Sequence, residues 1–386
     1  MTREQANGRQ RMERSALQRI LEARALEEVS VEQIFRFFRE DEDLAHFRPD
    51  ALCQIDPRDG AMILYNSARA HRPHDQHAPL VVPGEERDCP ICEGQTTGVI
   101  DVTDLSEGFT FINKNLFPII HALDGVGPEH AGEELTETHQ GLVAHGLHFL
   151  QWTSSYHDRG WHNMGGEDRL VVMKRLAALE AKLLFEAGEL MPQTDVNVEG
   201  EARGYVSIIK NYGARVGGSL SHDHQQIAFS NVMPQRFFLN KQFEERRGER
   251  FTEFLLNENP DELLVRDYGE AALVVPYFMR RPYNMILALK DPTKKYLCEL
   301  SEGELQAVAD AWHDAIDVIL RIMPLIGKET AFNVTVHNGP GAGLYVEFLP
   351  FTQETGGFEQ LGLWVCQGNT QDSAATLREM MEGEKV

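Results

Sequence analysis

Apolar positions along this chain follow two periods, and the switch between them marks out the elements. Leu170, Met173, Leu176, Leu179, Leu183 and Leu184 recur at three- and four-residue spacing and predict a helix from Gly166 to about Ala187. Leu305, Val308, Trp312, Ile316 and Ile319 form a second stripe, opened by Ser301-Glu302-Gly303-Glu304 in a capping-box pattern. Short strand-like runs surround both helices. Ala61–Tyr65, Phe109–Asn113, Gly146–Trp152 and Tyr205–Lys210 belong with the first. Ala272–Pro276, Asn284–Leu289, Phe332–His337 and Leu344–Leu349 belong with the second. Strand, helix, strand, glycine turn, strand thus occurs twice, which predicts duplication of one α+β unit. Residues 1 to about 45 stand apart as polar, charged helix. Leu17, Ile20, Leu21, Ala25, Leu26 and Val29 give that segment one apolar stripe, and Ile34, Phe35, Phe37 and Phe38 another. It is expected to serve packing or dimerisation.

Composition narrows the class. With 386 residues, 42% hydrophobic and 25% charged, the chain has enough material for two domains with substantial cores. The net charge of −23 disfavours general binding to nucleic acid or anionic membrane, since the long-range field repels polyanions. A small phosphorylated substrate needs only a local convergence of basic groups. The N-terminal MTREQANGRQ lacks a signal-peptide core, and no apolar run approaches a membrane span. Five cysteines, with only Cys89 and Cys92 close together, argue against a disulfide framework and for a cytoplasmic setting.

The densest chemistry lies in Lys210-Asn211-Tyr212-Gly213-Ala214-Arg215-Val216-Gly217-Gly218-Ser219-Leu220-Ser221-His222-Asp223-His224-Gln225-Gln226. A glycine/serine loop runs directly into His-x-His-x-Gln. Alternation along a strand puts His222, His224 and Gln226 on one face. Gly217 and Gly218 let backbone N–H groups approach an anion, and Ser219 adds a hydroxyl donor. Two imidazoles and an amide beside such a loop suggest histidine attack on a phosphoryl group; the plainer alternative is two histidines on a half-buried strand. Cys89-Pro90-Ile91-Cys92 has the spacing for half of a tetrahedral zinc site. A redox pair and two inert core cysteines are the alternatives, although no thioredoxin-like βαβ pattern surrounds the turn.

The 210–226 run resembles the active-site segment of the galactose-1-phosphate uridylyltransferase family, a branch of the histidine-triad superfamily that includes ADP-glucose phosphorylase-like members. That family carries Asn-x-Gly-Ala, a Gly-x-Ser turn, then His-Pro-His-x-Gln. The resemblance covers roughly 46–386. It implies an α+β fold of two fused histidine-triad-like domains, 46–235 and 236–386, each a mainly antiparallel sheet with packed helices. Residues 1–45 precede them as a helical extension. It further implies that His224 takes a nucleoside monophosphate, that Gln226 and Ser219 hold phosphate oxygens, and that Asn211 supports the loop. Asp223 replaces the family's proline, a change expected to loosen the start of the strand. His157, in Ser154-Ser155-Tyr156-His157-Asp158, and His222 would join Cys89 and Cys92 in one structural zinc site.

Three further segments resemble family elements. Arg69-Ala70-His71-Arg72-Pro73 matches a segment whose arginines bind the nucleotide diphosphate, a task suited to guanidinium forks. Asn115, in Asn113-Lys114-Asn115-Leu116-Phe117-Pro118, matches a nucleoside contact, and Glu359, in Gly356-Gly357-Phe358-Glu359, matches an element reaching a sugar. Val365 stands where hexose binding uses glutamine, with Gln367 nearby. His337 is shared with the family's second metal site, but Gly343 and Tyr345 occupy the places of its other histidines, so no second metal is expected. The expected activity is nucleotidyl transfer from a nucleoside-diphosphate sugar to a sugar 1-phosphate through a nucleotidyl-histidine, in a homodimer. Phosphorolysis of ADP-glucose or a dinucleoside polyphosphate is the rival within this chemistry. A nucleotide-binding sensor without turnover is the rival outside it.

Overall fold

A computed structural model describes residues 11–17, 25–41, 48–71, 89–124, 134–136, 139–196 and 200–383. Its centre is one ten-stranded antiparallel sheet. From edge to edge the order is Leu264–Asp267, Ala271–Val274, Met285–Leu289, Tyr345–Pro350, Phe332–His337, Tyr205–Tyr212, His224–Ser230, Gly146–Trp152, Phe109–Lys114 and Val99–Asp104. Each half contributes five strands. Numbered along the chain within its half, each set runs 1-2-3-5-4 from outer edge to seam. A long helix lies between the third and fourth strands of each set, Gly166–Glu186 in one and Glu302–Leu325 in the other. The seam is the antiparallel pairing of Tyr205–Tyr212 with Phe332–His337. An α+β architecture built from a repeated unit is therefore what the periodicity predicts.

Strand boundaries follow the apolar runs closely, and Gly146–Trp152 and Phe332–His337 coincide with them. The second long helix starts with the expected capping box. Ser301 Oγ accepts from Glu304 N at 3.3 Å, and Ser301 N donates back to Glu304 Oε2 at 2.7 Å. Both long helices pack on one face of the sheet. Leu147, Phe149, Val206, Ile208, Ile227 and Phe229 meet them there, and Trp161 stacks on Trp312 with centroids 5.3 Å apart. Side chains alternate, so His148, Trp152, His224 and Gln226 project from the opposite face. The candidate chemistry therefore sits away from the main helices.

Residues 1–45 differ from a continuous helix. Among the described residues the α-helical part is Val31–Arg39, capped by Ser30 and Gln33, and its Val31, Ile34, Phe35 and Phe38 join the main core. The strap before it holds two short 3-10 turns, Arg14–Ala16 and Leu26–Glu28. Met12 and Leu17 pack against Cys89, Ile91, Val99 and Phe109, and Met12 N donates to Ser155 O at 2.9 Å. Ile20 and Leu21 lie outside the described residues. Tertiary burial thus overrides helical propensity here. No helix among the described residues is long and apolar enough to cross a membrane.

One buried acid ties the halves together. Glu180, on the first long helix, is fully buried and accepts from Cys298 N at 2.9 Å and from Asn338 Nδ2. Burial pushes its carboxyl up to about 7, against the opposing pull of those donors. The fold thus favours the protonated acid. Its contribution to stability is present below the ordinary glutamate value and is lost as pH rises through about 7. Glu180→Gln should therefore melt several degrees higher than wild type at pH 8, with the difference shrinking towards pH 5. Melting curves across that range check it; a constant difference would mean an ordinary carboxyl.

Candidate functional site

The site begins with a strand register. His224 pairs with Trp152 across the sheet, and Gln226 with Leu150 and Ile209. His224–Ser230 forms the strand; His222 falls in the turn just before it. The two histidines therefore point to different tasks instead of sharing a strand face. Trp152 packs against both, with ring centroids 5.4 Å from His222 and 4.7 Å from His224.

His222 turns toward the cysteine knuckle. Its Nδ1 lies 3.5 Å from Cys92 Sγ and 3.8 Å from Cys89 Sγ, while His157 Nδ1 lies 3.6 Å from Cys92 Sγ. The four ligand atoms all fall within 4.8 Å of one another. Tetrahedral coordination with ordinary Zn–S and Zn–N bonds gives a sulfur–nitrogen edge of about 3.6 Å, so the cluster has the dimensions to hold such an ion. His222 Nε2 donates to Ser154 O at 2.8 Å, which leaves Nδ1 free to ligate. Burial disfavours both thiolates. The adjacent His157 and His222 imidazoles overcome that for Cys89, bringing it down to about 5. Burial and the charged Cys89 push Cys92 up to about 12. A cation among them would relieve that conflict. The redox-pair alternative has no support in this arrangement, because both sulfurs converge with two imidazoles.

His224 is 6% exposed, and its Nδ1–H donates to His222 O at 2.8 Å. The tautomer so defined carries its lone pair on Nε2. Burial first, and the positive charge of Lys210 second, hold the imidazole down to about 4. That favours the neutral form near pH 7, the form in which an imidazole can act as a nucleophile. Gln226 is nearly buried on the same face of the strand. Gly213 and Gly217 take positive φ, at +90° and +87°, around the turn Ala214–Val216, and Gly218 N closes it on Gly213 O at 3.0 Å. Asn333 of the second half donates to Asn211 Oδ1 at 2.7 Å and to Val216 O at 3.2 Å. Ser219 follows in the same loop.

Arg69 and Asn115 form a neighbouring group. Arg69 Nη1 donates to Phe117 O at 3.2 Å, and Asn115 Oδ1 accepts from Phe117 N at 2.9 Å. Asn115 N bonds to His148 O at 2.9 Å. His148 lies four residues before Trp152, about 13 Å along the strand at ordinary rise. Arg72 lies outside the described residues. Glu359 is in the second half, where Oε2 accepts from Gly356 N at 2.7 Å and Oε1 from Val365 N at 3.2 Å. Arg215 of the glycine loop pairs with Glu354 and lies over the Phe351 ring, linking the loop to that segment. His337 pairs with Glu347 at 2.7 Å and stacks on Tyr345.

Sequence reasoning missed Lys210, Thr153 and the role of Asp223. Asp223 does not loosen the start of the strand. Its carboxylate accepts from Lys210 Nζ and from Thr153 Oγ1 at 2.8 Å, and its carbonyl accepts from Thr153 N at 3.1 Å. Lys210 is 2% exposed, so this is a buried pair. Losing one member of such a pair typically costs about 3–5 kcal/mol. The available signal was a lysine inside an apolar strand together with an acid where proline is usual.

No protein-family model matches the chain. Over 348 residues it is 22% identical to ADP-glucose phosphorylase of Arabidopsis thaliana, covering 84% of this chain and 92% of that protein. A solved uridylyltransferase superposes with TM-score 0.65 at 16% identity, over 87% of this chain and 100% of that one. The structure of ADP-glucose phosphorylase from A. thaliana with bound ADP-glucose gives TM-score 0.58 at 17% identity, over 85% and 98%. The chain has the fold these proteins share, in agreement with the resemblance carried by its motifs.

The glycine loop yields a stability prediction. A Cβ at Gly218 would lie 2.8 Å from Gly213 N and 2.9 Å from Gly213 O. Gly218→Ala should destabilise the protein by roughly 1–3 kcal/mol, as overpacking against backbone does. Urea unfolding measures it, and an unchanged midpoint would mean that the turn opens freely.

Proposed function

We propose that this protein transfers a nucleoside monophosphate from a nucleoside-diphosphate sugar to a second acceptor by double displacement at His224. The observation that carries the reading is a buried, neutral imidazole whose Nδ1–H is committed to His222 O. Nε2 attacks the nucleotide's α-phosphorus, the P–N bond forms, and the P–O bond to the sugar phosphate breaks. The acceptor oxygen then takes the nucleotidyl group and restores the histidine. Ser219, Gln226 and the backbone N–H groups of Gly217 and Gly218 would bind phosphoryl oxygens where charge develops, with Asn211 bracing the loop. Arg69 and Arg72 would hold the diphosphate and Asn115 the nucleoside. Glu359 would accept sugar hydroxyls, from a partner copy in a homodimer. Exposure of Phe358, Leu361, Leu363 and Trp364 around it supports the dimer. Repetition of the strand order supports division at 235/236, and the division at 45/46 follows from the resemblance.

Zinc fits the Cys89, Cys92, His157 and His222 set, which leaves no open position, so its part would be structural: it would cross-link the knuckle to the turn carrying His224. With a sugar 1-phosphate as acceptor the activity is that of a hexose-1-phosphate uridylyltransferase. Val365, in place of the hexose-binding glutamine, and the sequence match to an ADP-glucose phosphorylase favour a second reading in which inorganic phosphate is the acceptor. A cytoplasmic location suits either reaction.

Two measurements test this reading. Protein purified without chelator should contain about one zinc per chain. His157→Ala should lower that content; full occupancy in the variant would refute the ligand set. Separately, mixing the protein with UDP-glucose, UDP-galactose, ADP-glucose or a diadenosine polyphosphate, without acceptor, should give a nucleoside-monophosphate adduct by non-acidic intact-mass measurement. The added mass distinguishes uridylyl from adenylyl, and discharge by sugar 1-phosphate or by inorganic phosphate identifies the acceptor. His224→Ala should abolish the adduct and keep the metal. Tight nucleotide binding with no adduct and no turnover would instead establish a sensor.

A further inference from the structure

Three successive carbonyls around the candidate nucleophile are each pinned by a different group. His222 O accepts from His224 Nδ1 at 2.8 Å. Asp223 O accepts from Thr153 N at 3.1 Å, and the single Thr153 hydroxyl proton is shared between Asp223 O at 3.0 Å and Asp223 Oδ2 at 2.8 Å. His224 O accepts from Lys210 Nζ at 3.1 Å. The Asp223 side chain closes the set, because it accepts from both Lys210 Nζ and Thr153 Oγ1. Lys210 reaches this point from the helix-covered face of the sheet, whereas His224 projects from the other. Gly160 is fitted to the same arrangement: a Cβ there would lie 2.6 Å from Asp223 Cγ.

The bond from His224 Nδ1 to the carbonyl two residues back aligns only while the 222–224 peptides hold their turn. Residue 223 is the pivot of that turn. We propose that Lys210 and Asp223 are a positioning pair that keeps the His224 imidazole in line for attack by fixing the backbone on both sides of it. Lys210 neutralises Asp223 in the interior and anchors the carbonyl after the pivot, and Asp223 fixes the pivot itself. Both side chains are largely buried against each other, apart from the groups proposed to hold the nucleotide. This inference rests on the nucleotidyl-transfer reading, and it assigns the pair to the rate of the chemical step, with donor binding and metal content left to other residues.

Single-turnover adduct formation by the full-length, metal-containing protein tests it, using whichever of UDP-glucose or ADP-glucose labels the wild type. Asp223→Asn and Lys210→Met should each slow adduct formation by about ten- to hundredfold, the scale of a small misplacement of reacting groups, with half-saturating donor concentration altered by less than about threefold. The double variant Lys210→Met/Asp223→Leu removes both charges and should regain thermal stability lost by the single variants while remaining slow. Lys210→Arg, which keeps charge and donors, should be faster than Lys210→Met. Recovery of the wild-type rate together with stability in the double variant would reduce the pair to a structural role and overturn the proposal. So would variants that raise the half-saturating concentration at an unchanged maximal rate. If the double variant does not fold, the nearly isosteric Asp223→Asn decides, since wild-type adduct kinetics in it would overturn the proposal. Absence of any adduct in the wild type is a different result: it removes the nucleotidyl-transfer reading, and the pair's proposed role with it.

Discussion

Pairing of His224–Ser230 with Gly146–Trp152 is the constraint on which the rest of the site depends. Side chains alternate along both strands, so a slip of one residue would send His224 and Gln226 to the helix-covered face. The register is held by what each face buries. Phe149, Ile227 and Phe229 meet the long helices, whereas Trp152 lies against His222 and His224 on the other side. Gln151 and Gln225 reinforce it from the helix side. They bond to each other at 2.7 Å, and Gln151 also donates to Val172 O on the first long helix at 2.9 Å.

Around that register the second half of the chain acts as a brace. The seam with Phe332–His337 completes the sheet beside Tyr205–Tyr212, and Asn333 supports the glycine loop directly. The pair Arg215–Glu354 holds the loop's outer side, and Glu180 joins helix to turn beneath the sheet. Two units of the same strand order thus divide the work. One carries His157, His222, His224 and the knuckle, and the other contributes Asn333 and Glu354 to the contacts of the loop before them.

Besides the second-half positions Gly343 and Tyr345, the chain departs from the pattern of the family it resembles at residue 223 and at 356–367. At residue 223, where that family has a proline whose ring restricts the backbone, this chain has an acid that accepts from Lys210 and Thr153. At 356–367 Glu359 closes a turn by accepting from Gly356 N and Val365 N, and Val365 is aliphatic where that family has an amide side chain.

Much of this was legible from the sequence because the relevant signals are local. Helical stripes at 170–184 and 305–319, the strand runs beside them and the capping box at Ser301 depend on residues a few positions apart. The loop, the His-x-His-x-Gln run and the Cys-x-x-Cys knuckle were equally local. Joining His157 and His222 to the knuckle required the family resemblance, since nothing in spacing alone brings residues so distant together. Tertiary structure alone decided the remainder. It showed that His222 precedes the strand, that Arg69 and Asn115 meet through Phe117, and that the described residues before 41 hold one short helix, Val31–Arg39, and two 3-10 turns. It also turned Asp223 from an apparent weakness into half of a buried ion pair. The physical reason is common to all of these: long-range pairing is set by which surfaces exclude water together, and a linear pattern does not carry that information.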